Sequence, residues 1–272
     1  MSDVVLVLLR QPERAPDLLD AAGRLAQMMG QARINTLAIR EAIQMRPVVD
    51  GALIDTPGAF MKAEAQERRR VEALRAVFDR WAGNARQPAA EARWFDVEGD
   101  TATIISERGT RADVIVSEQP AEEDTVARQA FRAALLGTDR PVLLMPQDAG
   151  TGFGTRIAIA WRDEKRTVRA VIPALRWLAR AEQVHVLVGV RDTAAKSRLP
   201  AILQEHGIAA RLHVLPIGPA PFGHTLLQKS RELGADLLVM GAYVHSPLRG
   251  LILGGVTQYM LTYADLPVLM RH

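Results

Sequence analysis

Short apolar runs alternate along the whole chain with longer segments in which apolar residues recur every three to four positions. In the first half the runs near 4–9, 34–39, 92–97, 112–117 and 141–145 read as strands. In the second half strands are expected at 157–161, Val184–Val190, Arg211–Leu215, Ala235–Met240 and Pro267–Met270. Helices are expected between them, near 165–181, 194–206, 223–233 and 255–263. The segment from Phe60 to Trp81, rich in Ala, Glu and Arg, predicts one long amphipathic helix. Apolar strands alternating with helices call for a parallel sheet covered on both faces.

The pattern repeats. Arg111-Ala112-Asp113-Val114-Ile115-Val116 matches Gly234-Ala235-Asp236-Leu237-Leu238-Val239, and Asp139-Arg140-Pro141-Val142-Leu143-Leu144-Met145 matches Asp265-Leu266-Pro267-Val268-Leu269-Met270-Arg271. The opening strands Val4–Leu9 and Ile157–Trp161 correspond as well. Two duplicated α/β domains are therefore expected, over 1–147 and 155–272. The polar, glycine-rich stretch Gln147–Gly154 reads as the linker between them.

Composition narrows the function classes. The chain has 272 residues, 48% apolar and 24% charged, and none of its apolar runs reaches the roughly 20 residues that span a bilayer. It has no cysteine, which excludes disulfides, thiolate catalysis and thiolate metal sites. Met1-Ser2-Asp3 places an acid where a signal peptide carries lysine or arginine, so a cytoplasmic location is expected. The net charge is only +3, and basic residues are interspersed with acids, as in Glu67-Arg68-Arg69-Arg70-Val71-Glu72. No basic stripe or nucleic-acid module is present, so neither nucleic acid nor membrane is an expected partner. The six histidines are scattered through the sequence without metal-ligand spacing. His185 and His213 fall within strands and read as packed side chains.

The chemistry concentrates near the C-terminal end. Ala235-Asp236-Leu237-Leu238-Val239-Met240-Gly241 is an apolar strand ending in glycine, and Gly254-Gly255-Val256-Thr257 opens the next helix. Glycine at both places leaves room for backbone N–H groups to approach an anion. The alternative reading is a strand–loop–helix turn whose glycines serve backbone geometry alone. With Leu251-Ile252-Leu253 and Leu266-Pro267-Val268-Leu269, these residues resemble the universal stress protein family in its tandem two-domain form. Its nucleotide-binding members show glycine, two residues, glycine, nine residues, glycine, then serine or threonine. Gly241 and Gly254 fit the first and third glycines; Val244 stands at the second and Gly255 at the hydroxyl position.

The resemblance implies two tandem Rossmann-like domains, of the adenine nucleotide alpha hydrolase-like type, each a five-stranded parallel sheet flanked by helices. It implies a stress-associated protein binding ATP or another adenine nucleotide, with Mg as a companion, in the second domain. Gly241, Gly254, Gly255, Val256 and Thr257 would hold phosphate, with His245 and Arg249 as donors from the loop. Arg162, Asp163 and Val190 would hold the adenosine part, Arg162 standing where binding members carry an acid. In the first half Ser117-Glu118-Gln119-Pro120-Ala121-Glu122-Glu123-Asp124 lacks the glycines, and its acids fit a helix N-terminus. The family pairs domains through their last strands, which implies an intrachain pseudo-dimer and is compatible with a homodimer. A closed pocket on the same fold, serving protein interaction, is the competing class. No Walker A motif, nucleophile elbow or adenylating loop is present, so no reaction is expected beyond slow incidental hydrolysis.

Overall fold

The computed structural model describes residues 2–30, 32–41, 57–84, 91–192, 197–242, 244–245 and 252–272. The first half supplies β1 (Val4–Leu9), β2 (Arg33–Arg40), β3 (Ala92–Glu98), β4 (Val114–Glu118) and β5 (Val142–Met145). The second supplies β6 (Arg156–Trp161), β7 (Gln183–Val190), β8 (Arg211–Pro216), β9 (Leu237–Gly241), the two-residue strands β10 (Val244–His245) and β11 (Ile252–Leu253), and β12 (Val268–Arg271). Ten of these make one sheet in the order β3-β2-β1-β4-β5-β12-β9-β6-β7-β8. Each half is a doubly wound set of five parallel strands, so the chain is α/β with two Rossmann-like units in tandem. The units join where β12 runs antiparallel to β5, Leu269 opposite Leu143.

Helices α1 (Ala15–Met28), α2 (Pro57–Ala82), α3 (Thr101–Gly109) and α4 (Thr125–Gly137) flank the first half-sheet, and α5 (Lys165–Val171), α6 (Leu175–Leu178), α7 (Ala201–Glu205), α8 (Phe222–Glu232) and α9 (Gly255–Tyr263) the second. Two buried clusters result, one on each face of the sheet, and each contains residues of both halves. The seam residues Leu143, Leu144, Val268, Leu269 and Met270 are fully buried. Apolar strands covered on both faces are what a parallel sheet requires, because water reaches neither face.

The repeated aspartate has a structural reason. Strand register places Val5 beside Val114 and Ile157 beside Leu237, so Asp113 and Asp236 hold the same place in the two units. The Val4 N–H donates to Asp113 Oδ2 at 2.8 Å, and the Arg156 N–H to Asp236 Oδ2 at 3.0 Å. Each carboxylate thus fastens the start of the unit's first strand.

Three expectations change. The helix over 165–181 is interrupted: Ile172–Ala174 is a 3₁₀ turn between α5 and α6, because Pro173 lacks the N–H that a continuous helix needs there. Of the helix expected over 194–206 the helical part is Ala201–Glu205, starting after Pro200; residues 194–196 lie outside the described residues. The stretch Gln147–Gly154 is a connector held to the body of the protein: Arg14 donates to the carbonyls of Met145, Pro146 and Gln147, and Phe153 is buried.

His185 on β7 is buried and His213 lies beside it on β8, with His185 Nδ1 and His213 Nε2 3.1 Å apart. His185 Nε2 faces Gln183 Oε1 at 3.2 Å. Burial, then the His213, Arg211 and Lys229 charges, lowers the His185 pKa from its ordinary 6.5; burial, then Lys229 and Arg211, lowers that of His213. The unfolded chain therefore takes protons that the native pair refuses, and stability should fall as the pH drops below about 6.5. A urea midpoint measured at pH 7.5 and pH 5.5 should fall on acidification, and His213→Gln should reduce that fall; an equal fall in the variant would refute the assignment.

Candidate functional site

In an open α/β sheet, ligands gather outside the C-terminal ends of the strands, where the chain order reverses. In the second half that point lies between β9 and β6, since β6 continues to β7 on one side and pairs with β9 on the other. A cavity of about 490 Å³ opens there. One wall consists of Gly241 at the end of β9 and Gly254, Gly255, Val256 and Thr257 at the start of α9. Opposite stand Ala160, Trp161, Arg162 and Asp163 from the end of β6. Leu187, Val188, Gly189 and Arg191 from β7 and its exit, with Ile217, Phe222 and Leu226, make a largely apolar slot. An apolar slot with polar groups and a helix terminus at its mouth is a plausible shape for a small-molecule site.

Local sequence explains each wall. At Gly241 a Cβ would come within 3.3 Å of the backbone of Arg166 and Thr167, so the glycine lets the first turn of α5 close onto β9. This close approach is a packing reason for the glycine, independent of any ligand. At Gly255, by contrast, a Cβ would meet nothing within 4 Å. Gly254 is the N-cap of α9 with φ −62° and ψ 154°, and it has no side chain to bond the first N–H groups of the helix. The first turn of α9, the end of the helix that carries partial positive charge, lines the cavity.

Gly241, Gly254, Gly255, Val256, Thr257, Arg162 and Asp163 all line this one cavity. Val190 is not among the lining residues. Its side chain is 9% exposed, its carbonyl accepts the Ile217 N–H at 2.8 Å, and its neighbours Gly189 and Arg191 line the cavity in its place. Strand alternation accounts for the exchange, since 189 and 191 share one face and 190 takes the other. His245 lies on β10, whose backbone pairs with β11 through Val244–Leu253 and His245–Ile252; its side chain, and Arg249 altogether, lie outside the described residues. Arg191 and Phe222 were not anticipated. The same alternation, applied at the end of β7, would have found Arg191. Among the described residues no three His, Asp or Glu side chains are grouped to hold a metal.

The equivalent end of the first unit is built differently. Register makes Arg10 the counterpart of Arg162 and Glu118 the counterpart of Gly241. Arg10 Nη1 lies 3.3 Å from Glu118 Oε1 and 3.2 Å from Asp124 Oδ2. Asp124 is the N-cap of α4, accepting the Ala127 N–H at 2.8 Å, so its place is that of Gly254 in the second unit. Burial raises the pKa of Glu118 although Arg10 and Arg14 pull it down. For Asp124 burial is outweighed by the Ala127 N–H and Arg10, which hold its carboxyl below the ordinary range. Arg70 from α2 donates to the carbonyls of Arg10 and Ile39 at 2.6 and 2.7 Å, across the ends of β1 and β2. Protein side chains thus fill this place with an ion-paired cluster, which leaves a smaller cavity of about 220 Å³.

Comparisons with known proteins follow this geometry. Residues 221–272, which carry α8, β9, α9 and β12, match the model of the universal stress protein family. Among curated protein sequences none matches the chain. The crystal structure of a universal stress protein from Archaeoglobus fulgidus DSM 4304 superposes with a TM-score of 0.68 at 14% identity, covering 100% of this chain and 96% of the other. A functionally unknown protein from Pseudomonas aeruginosa PAO1 gives 0.62 at 15% identity, covering 99% and 92%. The cytoplasmic domain of a prokaryotic cation chloride cotransporter gives 0.52 at 14% identity, covering 99% and 95%. At these identities the likeness is one of fold, and a fold hosts more than one function. The resemblance to the universal stress protein family is therefore borne out, by the family match at the C-terminal segment and by the fold over the whole chain.

Proposed function

We propose that the chain binds an adenine nucleotide, ATP with Mg being the first form to test, in the cavity between β9 and β6. In this reading residues 155–272 are the nucleotide-binding unit and residues 1–147 a structural or regulatory partner, the two forming an internal pseudo-dimer. The setting is a stress-associated role in the cytoplasm, with a homodimer of chains compatible with it. The observation that carries the reading is the meeting, on one cavity of about 490 Å³, of the α9 N-terminus, with glycine as its N-cap, and a largely apolar slot. Phosphate would lie over Gly254–Thr257, and the base against Val188, Ile217 and Phe222, with Arg162 and Asp163 between. The reading is one of ligand binding, and it assigns no catalytic residue.

A second reading has its own support. Gly241 is explained by the close approach of α5, so the glycine by itself does not require a ligand. A protein that keeps the fold for interaction alone would then bind no nucleotide.

Calorimetric titration with ATP and magnesium separates the two. One micromolar site per chain is expected. Gly255→Asp should weaken binding at least tenfold, because its carboxylate would stand in the phosphate's place, yet leave the melting temperature unchanged or raised. There is open space at that position, and an acid is favourable in a first helical turn. Equal binding by wild type and Gly255→Asp would remove the cavity as the site, and no binding by wild type would favour the second reading.

A further inference from the structure

We infer that Arg162 is a phosphate-binding residue of this cavity, bridging the ligand's phosphate to the N-terminus of α9; this rests on the nucleotide reading above. The argument comes from the duplicated fold itself. In the first unit an anion already bridges the same two elements. The Asp124 carboxylate accepts the Ala127 N–H of α4 at 2.8 Å through Oδ1 and meets Arg10 Nη1 at 3.2 Å through Oδ2. Arg10 also gathers Glu118, 3.3 Å away. An arginine at the end of the first strand therefore reaches inward across the strand ends to the helix terminus.

In the second unit the arginine is kept and both acids are gone. Arg162 stands at the position of Arg10, Gly241 at that of Glu118, and Gly254 at that of Asp124. With glycine in place of both carboxylates the N-cap of α9 carries no side chain, and Gly241, Gly254 and Arg162 line one cavity of about 490 Å³, against about 220 Å³ in the first unit. An incoming phosphate dianion restores the missing bridge, accepting N–H groups of α9 on one side and the guanidinium on the other. Arg162 is paired on the rim with Glu164 at 2.6 Å, its side chain 70% exposed. An exposed ion pair of this kind contributes little, so exchange of Glu164 for phosphate costs little. The sequence resemblance assigns this strand end to the adenosine part; the first unit's geometry assigns its arginine to the anion instead.

The test is calorimetric titration of the full chain, wild type, Arg162→Ala and Arg162→Lys, with ATP, AMP and adenosine. Arg162→Ala should weaken ATP and AMP about 10- to 100-fold, the range for a charge-assisted hydrogen bond, while adenosine binding stays within about twofold. Arg162→Lys should fall between, keeping the charge but losing the bidentate fork. Rim exposure makes both substitutions compatible with folding, checked by an unchanged melting temperature. Equal ATP affinity in wild type and Arg162→Ala overturns the inference and leaves the nucleotide reading standing. An equal loss for ATP and adenosine also overturns it, because the arginine would then serve the base or ribose. Absence of binding by wild type to any of the three removes both this inference and the reading beneath it.

Discussion

Phe153→Ala should lower the unfolding free energy by about 3–5 kcal/mol, read as a fall in the urea midpoint with an unchanged slope. The size follows from its burial: Phe153 is 1% exposed and belongs to the core cluster on the α1 face of the sheet. Truncation removes a buried ring and leaves a hole that its surroundings can close only in part, since they are held by hydrogen bonds. Arg24 Nε donates to the Phe153 carbonyl at 2.8 Å. The next residue, Gly154, has φ +96°, and a Cβ on it would lie 2.5 Å from Met28 Cε. The connector has no slack with which to fill the gap. A loss below about 1 kcal/mol would show that the ring is not enclosed in solution.

Asp236→Ala and Asp113→Ala occupy one position of the repeat and should differ in cost. Asp236 accepts N–H groups from Gly154, Thr155 and Arg156 at 2.8–3.1 Å, whereas Asp113 accepts that of Val4 at 2.8 Å. Removing a carboxylate from partly buried backbone donors leaves each to find water or remain unpaired. A loss of about 3 kcal/mol is expected for Asp236→Ala and about 1 kcal/mol for Asp113→Ala, from the same denaturation series. Equal losses would mean that the extra donors are satisfied by water when the carboxylate is removed. The contrast is informative because the two sites share fold position and chemistry.

The sequence makes the strand–helix alternation legible because apolar strands leave a local signal, and the repeat around Asp113 and Asp236 marks equivalent positions directly. The glycine wall of the cavity was equally readable, since strand-end and helix-start glycines are local features of Gly241, Gly254 and Gly255. What failed to show depends on tertiary packing. Gly189 and Arg191 line the cavity where Val190 was expected; alternation along β7 separates them, but which face of β7 meets the cavity is set by packing against the rest of the unit. The stretch 165–181 keeps a helical pattern through Pro173, and Ala170, Val171, Ala174, Trp177 and Leu178 are buried on both sides of the break. Phe153 sits among polar residues and glycines, so nothing local marks it as core. The partnership of Arg10 with Glu118 and Asp124 joins residues more than 100 positions apart, which no local pattern encodes.

The antiparallel meeting of β5 and β12 has a spatial consequence. Because strand direction reverses at that seam, the C-terminal ends of the first five strands point one way and those of the second five the other. The large cavity and the ion-paired cluster therefore open on opposite rims of one continuous sheet. A small molecule seated at one rim leaves the other exposed to solvent, so the chain is two-faced, with a receiving side and an unlike, densely charged reverse.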